Sequence, residues 1–453
     1  MARFSSLLML GLLVASSSAM AESQTLEQAM AAAYERNPSL QAQRAKLRAA
    51  DEKVAQALSG WRPNIEASAG RGISRQKIDD STMYPDSKTL APRDVGITVQ
   101  QPVFSGFKTV AGVRAADAQV EAERAFLETA EQDLLFSAAR AYLDVVQAQK
   151  VQELMRKNEE VLRQELDATQ SRFAIGEVTK TDISQAQARL NVAQAQRIQA
   201  DGDLTAQRAT YTRVIGEVPQ ELTQPSLTFQ GPHSLDEALS LASSRHPQVR
   251  AADYAKQAAK EQVTVTQGNL LPEVSIVGSM SRNWEQSITL PDQQDSSTIM
   301  ARVTVPLYKS GADYARSRAA NETVVQKGME LADARARVRE GAITAWQALT
   351  TARATIKANE SGVKAAELAL YGVQEESKVG TRTVLDVLNA QQEVLNAKVN
   401  LVRSHHDEAL AILQVRAAIG DLSAASLKLP VDLYNPKAHL DQVRGQWFGT
   451  GGS

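Results

Sequence analysis

The sequence predicts an α+β membrane protein built from two similar halves, each with a pair of strands and very long helices. Three observations predict this class. The 453 residues include no cysteine and only 5% aromatic residues, which is little material for one large globular core. The chain repeats itself once, and its apolar period changes in the same order in both halves. The balance of 50 basic and 52 acidic residues gives no case for binding nucleic acid.

Residues 1–21 have the layout of a secretory signal peptide. Arg3 precedes an apolar run from Leu7 to Val14, and small residues stand at Ala19 and Ala21. The alternative is a membrane anchor, but the apolar run is too short to span a bilayer. We therefore expect cleavage after Ala21. Without cysteine we expect neither a lipid anchor nor a disulfide.

The internal repeat is visible in two segments with the same order of features. TLEQAMAAAYERNPSL at 25–40 matches SLDEALSLASSRHPQV at 234–249. The register continues through the prolines that follow, and QPVFSG at 101–106 matches VPLYKSG at 305–311. We therefore predict a first repeat, a linker, a second repeat and a C-terminal segment, with the bounds 22–216, 217–233, 234–420 and 421–453.

Each repeat contains two segments in which polar and apolar residues alternate. The alternation predicts half-apolar strands at about 63–75 and 93–104, and at about 272–284 and 297–308. Polar loops separate the members of each pair. Four strands cannot close a barrel, and open edges in hydrocarbon would cost several kcal/mol for each unpaired backbone group. Copies of the chain must therefore complete the sheet.

A trimer is the assembly that the strand count favours. A dimer would give about eight strands and a filled interior, whereas a trimer gives about twelve and a lumen. We expect the polar faces to line that lumen, with Glu66 and Arg302 among the residues facing water, and the apolar faces to contact outer-membrane lipid. The alternative is an ordinary half-buried antiparallel sheet.

Long helical segments follow the strands in both repeats. Apolar residues recur every seven residues over 107–173 and 312–377, without an intervening proline. A sustained seven-residue period predicts left-handed supercoiling against neighbouring helices. A helix of that length would measure roughly 100 Å, more than the thickness of a bilayer. Shorter return helices are predicted at 179–216 and 383–419.

The long and return helices are joined by two similar turns. AIGEVTKTDISQAQA occupies 174–188, and KVGTRTVLDVLNAQQ occupies 378–392. Gly176 and Gly380 supply the left-handed or otherwise strained backbone that such a reversal commonly needs, and a threonine three residues later is a candidate N-cap. Both copies keep an aspartate, Asp182 and Asp386. These aspartates either face a channel or merely favour the positive ends of their helices.

These segments together resemble the TolC family of trimeric outer-membrane channel proteins. The resemblance covers nearly the whole mature chain, and VGTRTVLDVLNAQQEVLNAKVNL is its most specific stretch. It implies a twelve-stranded β-barrel made by a homotrimer and continuous with an α-helical coiled-coil tunnel in the periplasm. Residues 217–233 and the segment after 420 are candidates for an equatorial region around that tunnel.

The resemblance also implies roles for residues at the turns, which would form a periplasmic gate. By motif position Arg382 matches an arginine that latches the closed aperture, Asp182 and Thr181 match its partners, and Asp386 matches an aspartate that rings the narrowest point. Asn389 stands where some members have a second aspartate. Six hairpins from three chains would then close the tunnel.

The expected function is an exit duct without chemistry of its own. The resemblance implies docking with a periplasmic adaptor and with an inner-membrane ABC transporter or proton-driven pump. We favour type I protein secretion, with small-molecule efflux as the alternative and a secreted structural coiled coil as the rival of another class. No phosphate-binding loop or nucleophile elbow indicates an enzyme, and no cofactor is expected. His405 and His406 are adjacent on a helix and do not face one another, so no metal site is predicted.

Overall fold

The computed structural model describes residues 24–77, 83, 87–225, 227–229 and 231–450. The predicted signal peptide lies outside the described residues. The chain separates into two compact units. The hairpin unit takes the residues up to Arg36, Ser137–Thr228 and Ala352–Leu410, and the sheet unit takes Asn37–Phe136, Phe229–Thr351 and the residues from Ala411 onward.

The helices follow one another in the same order in both repeats. The first repeat contains α1 (Leu26–Arg36), α2 (Pro38–Leu58), α3 (Lys108–Ala174) and α4 (Lys180–Ile215). The second contains α5 (Leu235–Arg245), α6 (Pro247–Gly268), α7 (Ala312–Lys378) and α8 (Val384–Ala418). Both α3 and α7 have 67 residues. Bounds were predicted for α3, α4, α7 and α8, and these four helices begin and end within one residue of them. No helix in the described ranges is long and apolar enough to cross a membrane.

The short helices of each repeat meet at a proline that fixes where the second one begins. Pro38 and Pro247 occupy the first turn of α2 and α6, where the missing N–H costs no helical hydrogen bond. The preceding side chain caps the helix in both copies. Asn37 Oδ1 accepts a bond from the Ser39 N–H at 2.9 Å, and His246 Nδ1 accepts one from the Gln248 N–H at 3.2 Å.

The main sheet has four antiparallel strands. Neighbouring strands follow one another in the order β1 (Asn64–Arg71), β4 (Arg93–Ser105), β5 (Glu273–Trp284) and β6 (Gln293–Thr304). The central pair joins the two repeats, because β4 of the first pairs with β5 of the second. Strands β1 and β6 form the two edges.

The strand register separates an apolar face from a polar face. Across the sheet, Ile65 lies opposite Val99, which lies opposite Gly278, which lies opposite Ile299. The next residue along each strand belongs to the other face, where Glu66 lies opposite Thr98. Arg302 lies on this polar face too, opposite Ser275. The apolar face is open in the single chain, with Ile299 84% exposed.

Two of the predicted strands have different bounds in the structure. The predicted strand 63–75 ends at Arg71, because Gly72 leaves the ladder and its N–H bonds to the Pro92 carbonyl at 2.8 Å. Beyond it, β2 (Ser74–Lys77) and β3 (Ser87–Leu90) form a separate two-stranded sheet that the sequence did not predict. The predicted strand 297–308 instead covers 293–304. Pro306 has no N–H to donate, and the polar residues 293–296 are held by pairing with β5.

The C-terminal segment is anchored within the sheet unit. Its short helix α9 (Ala438–Val443) packs against α2, where His439 Nδ1 lies 3.2 Å from Asp51 Oδ2. Burial raises the pKa of the Asp51 carboxyl despite this contact. Arg444 then bonds to both carboxylate oxygens of Asp117 at 3.2 Å. Farther on, the Trp447 ring stacks under the Arg62 guanidinium at 4.9 Å.

In the hairpin unit, buried tyrosines hold the predicted linker against the start of the chain. The Tyr142 hydroxyl donates to the carbonyl of Gln24 at 2.8 Å or to that of Thr223 at 2.7 Å. The Tyr211 hydroxyl donates to the Gln24 side chain at 2.6 Å. Gln24 also forms a parallel bridge with Leu222. The start of the described chain is therefore tied to residues 222–223 by buried polar contacts.

Candidate functional site at the two helical turns

Both turns at the ends of the long helices use a left-handed glycine. Gly176 has a φ of 82° and Gly380 a φ of 80°, which confirms the predicted left-handed backbone. In the first turn, the Gly176 N–H bonds to Phe173 O and the next N–H bonds to Arg172 O. The second turn repeats both bonds, from Gly380 to Ser377 O and from Thr381 to Glu376 O. The pattern is the Schellman motif, which ends a helix by satisfying its last carbonyls.

Each turn is followed by a reciprocal helix cap. The Thr179 N–H donates to Asp182 Oδ2 at 2.8 Å, and the Asp182 N–H donates to Thr179 Oγ1 at 3.3 Å. Thr383 and Asp386 make the same pair of bonds, at 3.0 and 3.2 Å. Both aspartates therefore have a structural role as the third helical residue of a capping box. Hydrogen bonds from the Thr383 backbone and side chain lower the pKa of Asp386.

The predicted latch residues do not meet within the chain. Arg382 Nε donates to Glu376 Oε2 at 2.7 Å, and the two side chains are about half exposed. Asp182 is engaged by its cap, and Thr181 is exposed one residue before it. In the described chain the arginine is thus held by the last turn of its own long helix. A bond from Arg382 to Asp182 or Thr181 stays a prediction for an assembly of several chains.

A buried apolar cluster brings the two return helices together behind the turns. Its members come from α3, α4 and α8: Leu162, Leu166, Ala186, Leu190, Ala193, Val384 and Leu388. The partly buried Val178 and Ile183 extend it. Because the cluster includes residues of both repeats, the first turn and the second turn are packed into one structure. Deleting such a side chain typically costs about 2–5 kcal/mol.

A contact between the return helices was missed in the sequence. Arg189 on α4 donates an Nη2–H to Asn389 Oδ1 on α8 at 2.7 Å. Asn389 is exposed and follows Asp386 by one helical turn, so the two side chains share a face of α8. The repeat alignment, in which Arg189 matches Glu393, marks this position as different in the two copies but does not identify Asn389 as the partner. A position with opposite charges in otherwise similar copies indicates an asymmetric role.

The face of α8 that carries Asp386 continues as a polar stripe. Its members recur every three or four residues and none is buried: Asp386, Asn389, Glu393, Asn396, Asn400, Arg403 and Asp407. The other face buries Val384, Leu388, Leu395 and Val399. The stripe is a continuous hydrated surface along the helix.

His406 joins α8 to α3 in the hairpin unit. Its Nε2 lies 2.7 Å from Asp144 Oδ1, and its Nδ1 lies 3.1 Å from Asp407 Oδ1. Arg140 also approaches Asp144, at 3.8 Å. Burial lowers the pKa of His406, but the bonds and charges of the two carboxylates outweigh burial, and the pKa is raised overall. Among the described residues, no group of His, Cys, Asp and Glu side chains is arranged to hold a metal ion.

We expect the contribution of His406 to stability to depend on pH. A raised folded-state pKa stabilises the protein fully below the unfolded value of about 6.5, and the contribution is lost as pH rises through the folded value. His406→Gln should therefore lower the free energy of unfolding by about 1–2 kcal/mol at pH 5.5 and by less at pH 8.5. Thermal unfolding at both pH values measures this difference. His405→Gln is the matched control, and an equal loss at both pH values for His406→Gln would contradict the assignment.

The fold and the paired turns define a class of protein, an outer-membrane channel with a long helical part. The outer membrane efflux protein family matches residues 29–217 and 238–421. The chain is 38% identical to the outer membrane efflux protein BepC of Brucella suis, over 94% of this chain and 92% of that one. It is 25% identical to the alkaline protease secretion protein AprF of Pseudomonas aeruginosa, over 88% of this chain and 84% of that one.

Among solved structures, the fold is similar to the Campylobacter jejuni CmeC outer membrane channel. The TM-score is 0.79 at 16% identity, over 93% of this chain and 89% of that one. The chain belongs to the outer membrane efflux protein family. The resemblance to TolC-type channels found in the sequence is thereby confirmed. The protein is an export channel of the outer membrane with a large periplasmic part, and it is not an enzyme.

Proposed function

We propose that the chain is the exit duct of a tripartite export system and acts as a homotrimer. The observation that carries this proposal is the open apolar face of the main sheet, together with its two edges β1 and β6. An apolar sheet face suits lipid, and its edges must be paired in a membrane. Three copies of a four-stranded sheet make twelve strands. Glu66 and Arg302, on the polar face, would then line the lumen.

The helical turns are the surface that we propose for docking with a periplasmic adaptor and an inner-membrane transporter. Each turn carries a branched apolar residue just before its glycine, Ile175 in one and Val379 in the other. These side chains are 72% and 74% exposed. Exposed apolar residues at equivalent positions of both repeats suit a partner that contacts all the hairpins of a trimer in the same way.

A charge at these two positions should abolish export without abolishing assembly. We expect the double variant Ile175→Asp and Val379→Asp to place normal amounts of trimer in the outer membrane but to restore no export to a deletion strain, because a desolvated carboxylate disfavours docking. Ser171→Asp, which adds a charge one turn away and keeps both apolar residues, is the control. Full export by the double variant would show that the adaptor docks elsewhere.

For the cargo, small molecules are the candidate that the comparisons favour. The relative with the higher identity and coverage is an efflux protein, which shifts the balance from the protein secretion that we favoured from the sequence. Protein secretion by a type I system remains the second candidate, because AprF matches the chain over most of its length and is a protease secretion protein. The polar stripe on α8 is compatible with either cargo.

A gene deletion separates the two candidates. The strain without this gene should be compared with the complemented strain in drug sensitivity and in the set of secreted proteins. Increased sensitivity with normal secretion supports efflux, and loss of secreted proteins with normal resistance supports type I secretion. If both properties stay normal and purified protein shows no conductance in planar bilayers, the duct itself is excluded.

A further inference from the structure

The two repeats carry opposite charges at one position of their return helices. The capping boxes fix the alignment, because Thr179 and Asp182 are matched by Thr383 and Asp386. Counting onward from the caps, Arg189 of α4 is matched by Glu393 of α8. Seven residues after the aspartate, one copy is therefore cationic and the other anionic. In a threefold assembly this layer would alternate three positive and three negative charges.

The structure brings the cationic copy close to the aspartate of the other repeat. Arg189 crosses to α8 and bonds to Asn389 at 2.7 Å. Asn389 is three residues from Asp386, which is a rise of about 4.5 Å along the helix. The guanidinium is thus within about one Debye length of the Asp386 level at physiological salt. Its partner is a neutral amide, so this bond fixes the position of the charge without cancelling it.

We propose that Arg189 is a specificity-determining residue of the passage, which offsets part of the negative charge of Asp386 and Glu393 and so weakens the preference of the constriction for cations. The proposal rests on the proposed function, since it requires that Asp386 face the aperture. Three Asp386 carboxylates alone would make the constriction cation-selective. Three arginines held on Asn389 turn the same region into a mixed-charge ring, which excludes anionic and mixed-charge cargo less strongly than the carboxylates alone would.

The proposal can be tested in an assembled channel by introducing one cysteine per chain. Because the chain contains no other cysteine, Arg189→Cys provides one thiol per chain for chemical modification. The variant is inserted into planar bilayers, and the reversal potential is measured in a KCl gradient. A trimethylammonium thiosulfonate reagent then restores a positive charge, and a sulfonate reagent adds a negative one. Because each channel is measured before and after reaction, folding and charge are separated. Arg208→Cys, an exposed position farther along α4, is the control.

The unmodified Arg189→Cys channel should prefer potassium over chloride about threefold more than the original protein, because one positive charge per chain is removed several ångströms from the path. The cationic reagent should return the selectivity to the original value, and the anionic reagent should raise the preference further. Neither reagent should act through Arg208→Cys. If Arg189→Cys does not insert, Asn389→Cys offers the same measurement at the partner side chain.

Selectivity that is unchanged by both reagents at these positions overturns the role of Arg189 while leaving the channel intact. Absence of conductance in the original protein would instead overturn the proposed function. A purely structural role of the bond, which pins α4 to α8, predicts equal effects of the two reagents irrespective of their sign. Only an electrostatic role predicts opposite effects.

Discussion

Ile299→Arg should prevent stable insertion of the protein into the outer membrane. Ile299 is central on β6, on the face where Ile65 and Val99 also lie, and it is 84% exposed in the single chain. If lipid covers this face, an arginine there costs about 2–4 kcal/mol in each chain, and a trimer carries three. The amount of folded trimer in outer-membrane fractions measures the effect.

The neighbouring residue provides the matched control for this experiment. Thr298 is on the same strand but on the polar face, opposite Ser279. Thr298→Arg should leave assembly nearly unchanged, because a water-filled lumen tolerates the charge. Equal yields of the two variants would contradict the assignment of faces, and a reversed order would exchange the lumen and the lipid surface.

Arg382→Ala should increase the open probability of the channel. A single exposed ion pair contributes little, but a trimer would carry three equivalent pairs, and the variant removes all of them at once. The effect should diminish at high salt, because the pair is screened. Single-channel recording in planar bilayers at two salt concentrations measures both quantities.

Two further variants identify the partner of Arg382 in the closed channel. In the described chain Arg382 binds Glu376, so Glu376→Gln reproduces the Arg382→Ala channel if this bond holds the turn closed. If a bond between chains acts as the latch, Asp182→Asn reproduces it and Glu376→Gln does not. Asparagine can still accept the capping bond from Thr179, so helix α4 is preserved. An open probability that none of the three variants changes would exclude an arginine latch.

Periodicity in the sequence was sufficient to predict the long helices, the return helices and the faces of the sheet. The apolar heptads of α3 and α7 continue over so many residues that single departures from the pattern do not change the helix prediction. The alternation in β1 and β4 assigns each side chain to a face. The strand β6 shows the limit of this method. Residues 293–296 are polar throughout, and they belong to a strand only because β5 is long enough to pair with them. Pairing between distant strands cannot be read from local periodicity.

The parts of the site that are formed by residues close together in the sequence could be predicted. A glycine followed by threonine and aspartate at fixed spacing predicts a turn and a cap, and both turns have that form. The contact between Arg189 and Asn389 depends on how two helices pack, and nothing local to either residue indicates it. The Glu376 bond of Arg382 was also missed, because the arginine was matched only to a motif. The latch itself stays a prediction.

The pairing of β4 with β5 sets a constraint on the time course of folding. Thr98 and Ser279 are direct neighbours in the sheet, yet α3, α4, the linker, α5 and α6 are synthesised between them. The centre of the sheet therefore has a high contact order and cannot form until the second repeat has crossed the inner membrane. In the interval, the edge of β4 that later pairs with β5 has no hydrogen-bonding partner. An unpaired strand edge next to exposed apolar side chains makes such an intermediate prone to aggregation.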